Sequence, residues 1–96
     1  MLDENYDLLL LSVDSRKIAY EKFKAKTEAI RSCRDARKLA KSIGGVVQRD
    51  RFVPSWDLSM EVREYLSEIP TGRSTQVFGA DPSVMRVQVI CGRNVE

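Results

Sequence analysis

The chain has 96 residues, a formal net charge of +2, 43% hydrophobic and 31% charged residues, and no histidine. That is material for one domain, residues 1 to 96, with a modest core, and it excludes collagenous or disordered classes. The longest apolar run, Leu8 to Leu11, is far short of the roughly 18 to 20 residues of a membrane span. The opening Met1-Leu2-Asp3-Glu4-Asn5 lacks the basic and apolar regions of a secretory signal, a pattern compatible with a domain excised from a longer chain.

Tyr6 to Val13 is a short apolar run that predicts a strand. From Ser15 the period changes. Ala19, Phe23, Lys26/Thr27 and Ile30 recur at helical spacing, with Ser15 placed as N-cap, which predicts a helix to about Arg31. Ser32-Cys33 breaks the phase. Ala36, Leu39, Ala40 and Ile43 then mark a second helix that stops at Gly44-Gly45, where glycine supplies a left-handed C-terminal residue. Val46 to Val53 reads as a strand with one wet face, closed by Pro54. Leu58, Val62, Tyr65/Leu66 and Ile69 form another helical stripe, with Ser59 as N-cap and Pro70-Thr71-Gly72 as the stop. Ser74 to Phe78 and Val84 to Cys91 read as two strands joined by the turn Gly79 to Ser83. The fold expected is α+β: a four-stranded antiparallel or mixed sheet with flanking helices, in the order β-α-α-β-α-β-β.

This order, and several of its parts, resembles the parvulin type of peptidyl-prolyl isomerase domain, nearest to the parvulin-like domain of SurA-type bacterial periplasmic chaperones. The resemblance covers nearly the whole chain. Its best part runs from Leu58 to Arg93: a helix ending in Leu66-x-x-Ile69-Pro70-Thr71-Gly72, a strand near Ser74-Thr75, and the last strand Val84-Met85-Arg86-Val87-Gln88-Val89. Asp35, Ala36, Leu39 and Ala40 are similar to the family's "Gly-x-Asp-Phe-x-x-Leu-Ala" helix. The departures concern catalysis. Parvulins carry two histidines and a Cys or Asp around the twisting X-Pro bond. Here the last-strand histidine position falls on Met85 and the first-strand one within Asp7 to Leu10, while the loop bearing the Cys or Asp is missing between Ile43-Gly44-Gly45 and Val46. The family's pocket Met and Phe map to Leu58 and Val62, and its pocket Thr to Ala80.

The resemblance therefore implies a client-binding groove built from Leu8, Phe52, Trp56, Leu58, Val62, Ala80 and Met85, without isomerase catalysis. The implied partners are unfolded or extended polypeptides, outer-membrane proteins among them, and the implied compartment is the periplasm. No cofactor, metal or nucleic acid is expected. Met85 is either a soft contact for a client side chain or ordinary sheet packing, and Trp56 with Phe52 is either an aromatic wall or partly buried core. Two other functions stay open: an active isomerase using Asp7 and backbone polarity, and an interaction domain whose basic helix docks on an acidic partner. The second draws on the charge distribution, since Arg16 to Lys41 carries ten basic and three acidic residues, net +7 against −5 elsewhere. A solvated helix face accounts for the same charges.

In the parvulin-like arrangement the last strand lies beside the first and antiparallel to it. The end of the first helix near Cys33 and the end of the last strand at Cys91 then meet at one sheet edge, which implies a disulfide between them and an oxidising compartment. Cys91 shares strand parity with Met85, Val87 and Val89, which would turn it to the face away from Cys33, and two free core cysteines stay open as the alternative.

Overall fold

The computed structural model describes residues 5–79 and 81–94. The apolar run lies in β1 (Asn5–Asp14), followed by α1 (Tyr20–Glu28), α2 (Cys33–Ile43), β2 (Val46–Pro54), a 3-10 turn (Ser55–Asp57), α3 (Met60–Ser67) and β3 (Val84–Arg93). The class is α+β, with a three-stranded antiparallel sheet in the order β2-β1-β3 and three helices. β1 is central, which explains why its sequence is apolar on both faces instead of alternating.

Strand alternation divides the β1 side chains between two layers. Leu9, Leu11 and Val13 pair with Val89, Val87 and Met85, and these six pack with Phe23, Ile30, Cys33, Ala36 and Ala40. That is the face covered by α1 and α2. The small Ala36 and Ala40 let the α2 backbone come close to the sheet, and each fully buried Leu, Val or Phe contributes about 1.5 to 3 kcal/mol. Tyr6, Leu8 and Ile90 point the other way, where α3 supplies Leu66 as their buried partner and Val53, Leu58 and Ile69 pack at the margin.

Two of the three helices begin and end as their residues dictate. Ser32 accepts a hydrogen bond from the Asp35 amide at the start of α2, and Gly44 ends that helix at φ 69°. Ser59 accepts from the Val62 amide at the start of α3. The first helix departs from expectation. Ser15 is not its cap: the helix begins only at Tyr20, with Ala19 at the N-cap position, while the Ser15 amide donates to the Ser83 carbonyl and Asp14 closes a turn by accepting from the Arg16 amide at 2.8 Å. Leaving β1, the chain reverses before it can coil, and α1 starts at Tyr20 after an extended Ala19 that makes no side-chain cap.

Ser74 to Phe78 is not a regular strand. It runs along β3 with two isolated bridges, Ser74 to Val89 and Phe78 to Arg86, and with backbone bonds from the Thr75 amide to the Gln88 carbonyl and in both directions between Phe78 and Arg86. Between them a side chain replaces a ladder carbonyl: the Gln88 amide donates to Thr75 Oγ1 at 3.0 Å, and the Gln76 amide donates to Tyr65 Oη at 2.8 Å. The Thr75 amide still donates to the Gln88 carbonyl at 2.8 Å, so the pairing is interrupted where the Gln88 amide turns to the Thr75 hydroxyl. Gly72 anchors the start of this segment: its φ is +92°, and a Cβ there would lie 2.2 Å from the Arg31 carbonyl oxygen, a separation only glycine permits.

Cys33 and Cys91 are disulfide-bonded, with Cα atoms 5.4 Å apart and 58 positions between them. The register of β3 against β1 slips between Asp7 and Leu8, from Gly92 to Ile90, so Cys91 is the extra residue of a bulge. The parity it shares with Met85, Val87 and Val89 points it to the α2 face, where Cys33 opens α2.

Candidate functional site

A groove of about 410 Å³ opens between α3 and the face of the sheet that α1 and α2 leave uncovered. Its floor is Leu8 and Leu66, exposed by only 5% and 3%. One wall is the inner stripe of α3 and its lead-in, Leu58, Val62 and Tyr65, and the other is the segment Thr75 to Phe78. The helical period puts residues 58, 62, 65 and 66 on one side of α3, and the incomplete burial of Val62, Tyr65 and Phe78 leaves them at the rim. The hydrogen bond from the Gln76 amide to Tyr65 Oη ties the two walls together. A volume of this size with mostly apolar walls is typical of sites that take a few apolar groups of a ligand.

Among the described residues the lining contains no carboxylate, ammonium or guanidinium. Asp7 lies elsewhere. Its carboxylate accepts from Arg49 Nε at 2.9 Å and Nη2 at 2.6 Å, on the α2 side, since Arg49 pairs with Leu9. Those hydrogen bonds hold Asp7 below the ordinary aspartate value, with burial opposing and Arg49, Arg51 and Arg37 adding charge attraction. The other perturbed carboxylates also stand outside the lining. Asp14 is lowered to about 2 by the side chain and amide of Arg16, and Asp81 is lowered by hydrogen bonds from the amide and hydroxyl of Ser83. What the groove can do chemically is exclude water and hold apolar groups; it offers no poised acid or base. Among the described residues no group of three or more His, Cys, Asp or Glu could hold a metal ion, and no helix is long and apolar enough to cross a membrane.

Of the residues singled out from the sequence, Leu8, Leu58 and Val62 come together in this groove. Met85 does not. It is 8% exposed and packs with Val13 and Val87 on the opposite face, because its register partner is Val13 and not Leu8. Phe52 and Trp56 are 53% and 61% exposed and stand outside the lining, so neither is core nor groove wall. Ala80 lies outside the described residues. Tyr65, Leu66, Thr75, Gln76, Val77, Phe78 and Gln88 also line the groove and are not among the residues expected there from the sequence. Tyr65 was visible in the stripe of α3, whereas Phe78 and Gln88 enter only because the 74–78 segment folds along β3. Gln88 Oε1 is buried there without a hydrogen-bond partner.

The chain matches no protein-family model, no curated protein and no solved structure.

Proposed function

We propose that this chain is a parvulin-like peptide-holding domain, which binds extended, aromatic- or proline-containing segments of unfolded proteins in the α3 groove and does not isomerise them. The observation that carries this reading is a groove with an apolar floor whose lining, among the described residues, holds no carboxylate or cationic side chain. Binding is served by Leu8, Leu58, Val62, Tyr65 and Phe78; proton transfer or polarisation of a twisting amide is served by none of them. The antiparallel pairing of β3 with β1, and the bridges from Ser74 and Phe78 along the other side of β3, are compatible with a parvulin-like arrangement. The Cys33–Cys91 bond is compatible with an oxidising compartment such as the periplasm, where unfolded outer-membrane proteins would be the clients.

Titration of the labelled domain with peptides rich in Phe, Tyr and Pro tests the site. Amide signals of Val62, Tyr65 and Phe78 should move first, and Val62→Asp should abolish the shifts while the domain stays folded. Shifts clustered away from the groove would refute the site. A protease-coupled proline isomerisation assay tests the chemistry, with at most marginal acceleration expected; turnover comparable with an active parvulin would refute the non-catalytic reading.

A further inference from the structure

The two helices on opposite faces of the sheet carry matching stripes of opposite charge. On α2, Arg34, Arg37, Lys38 and Lys41 recur at i, i+3, i+4 and i+7, all exposed, and at 100° per residue they fall within one narrow arc. Cys33, Ala36 and Ala40 fill the reverse side against the sheet. On α3 and its C-cap, Glu61, Glu64 and Glu68 recur at i, i+3 and i+7, also exposed, and turned away from Leu66. Each stripe spans eight residues, seven helical steps or about 10 Å along its axis. Among the described residues the ion pairs are Arg16 with Asp14 and Arg49 with Asp7, so neither stripe is neutralised within the chain.

We infer that the α2 stripe docks on the α3 stripe of a second copy of this chain. Length and sign are complementary: three carboxylates at similar helical spacing, on the same molecule, face four cations of which, among the described residues, none forms an ion pair, Arg37 adding only a longer-range attraction to Asp7. Antiparallel or parallel apposition of two such helices brings opposite charges into register along one full span. An unrelated acidic protein or a polyphosphate would satisfy the cations but leave the α3 carboxylates without a role.

The placement of the stripes also sets the form of the assembly. Because α2 and α3 cover opposite faces of the sheet, one copy cannot engage a partner through both stripes at once. The contact is heterologous, and each added copy exposes a fresh stripe at the far end, which builds an open head-to-tail chain instead of a closed dimer. A single helix-to-helix contact is small, so the association is weak and transient. It is also exposed to salt, whose screening length is about 10 Å at 0.1 M.

Sedimentation velocity of the oxidised chain against concentration provides the test. At 25 mM salt the weight-average mass should rise continuously with concentration and past that of a dimer, and the apparent dissociation constant should increase at least about tenfold by 300 mM. The decisive samples are two charge-reversed chains. R34E/R37E/K38E/K41E makes both stripes acidic and E61K/E64K/E68K makes both basic, so each should remain monomeric alone, while their equimolar mixture should associate. The neutral set R34Q/R37Q/K38Q/K41Q gives a milder second variant should the reversed chain fail to fold, and it too should be monomeric. A wild-type chain that stays monomeric at 25 mM salt, an association unaffected by salt, or a mixture that fails to associate would overturn the proposal. So would a wild-type chain that ignores itself and binds RNA or anionic vesicles through α2.

Discussion

The two faces of the sheet are built to different standards. The face toward α1 and α2 is closed: eleven buried residues from both strands and both helices interlock there, and a disulfide fixes its margin. The face toward α3 is half finished, with four buried residues and an apolar groove beside them. A small domain has apolar surface enough to seal one side of a three-stranded sheet well, and the other side is free to leave Val62, Tyr65 and Phe78 at the surface. On the proposed function, stability and binding fall to opposite faces, and substitutions should separate them.

The largest effect is expected at the margin of the closed face. Reducing the Cys33–Cys91 bond opens a loop of 58 positions and should lower unfolding free energy by about 4 kcal/mol in the chain-entropy model, read as the shift in urea midpoint with and without reductant. Next comes the centre of that face, where Leu11→Ala removes a fully buried side chain and should cost about 3 kcal/mol without altering peptide binding. Asp7→Asn should cost about 1 to 2 kcal/mol, because it leaves the half-buried Arg49 guanidinium without its charged partner. Asp7 is lowered in the folded state, so its contribution is complete above the ordinary aspartate value of about 3.9 and is lost as pH falls through the lower folded value. The Asn variant should therefore lose less stability than wild type between pH 4 and pH 2. The smallest stability effect belongs to the open face: Val62→Asp, at a position 42% exposed, should change the midpoint by no more than about 0.5 kcal/mol while eliminating peptide shifts. If Val62→Asp unfolds the domain instead, the open face is structural and the division fails.

Much of this division was legible in the residues. The strands at Tyr6, Val46 and Val84 and the helices through Ala36 and Val62 follow from period and caps, and the sites of Ser32, Gly44 and Ser59 are local chemistry that tertiary structure leaves intact. What could not be read was the register of β3. Met85 as a groove residue and Cys91 as a partner of Cys33 are competing demands on one strand, since alternation puts both on the same face. Pairing of Met85 with Val13 satisfies the second and denies the first. The start of α1 and the irregularity of residues 74–78 escaped for a related reason: the Ser15 amide is held by the Ser83 carbonyl and the Gln88 amide is taken by the Thr75 hydroxyl, contacts between residues distant in sequence.

The position of the disulfide also bears on how fast the sheet can assemble. β1 lies outside the ring closed by Cys33 and Cys91, yet it must enter between β2 and β3, both of which belong to the ring. Along the backbone Leu9 and its partner Val89 are eighty positions apart, the kind of remote pairing that slows folding. Through the bond the path shrinks to 24 positions from Leu9 to Cys33 and two back from Cys91 to Val89. By the logarithmic dependence of closure entropy on length, that shortcut should accelerate the β1 to β3 encounter about fivefold. An oxidised chain diluted from denaturant should accordingly regain its central strand sooner than a reduced one, a head start that matters wherever an unpaired, leucine-rich strand is exposed to its neighbours.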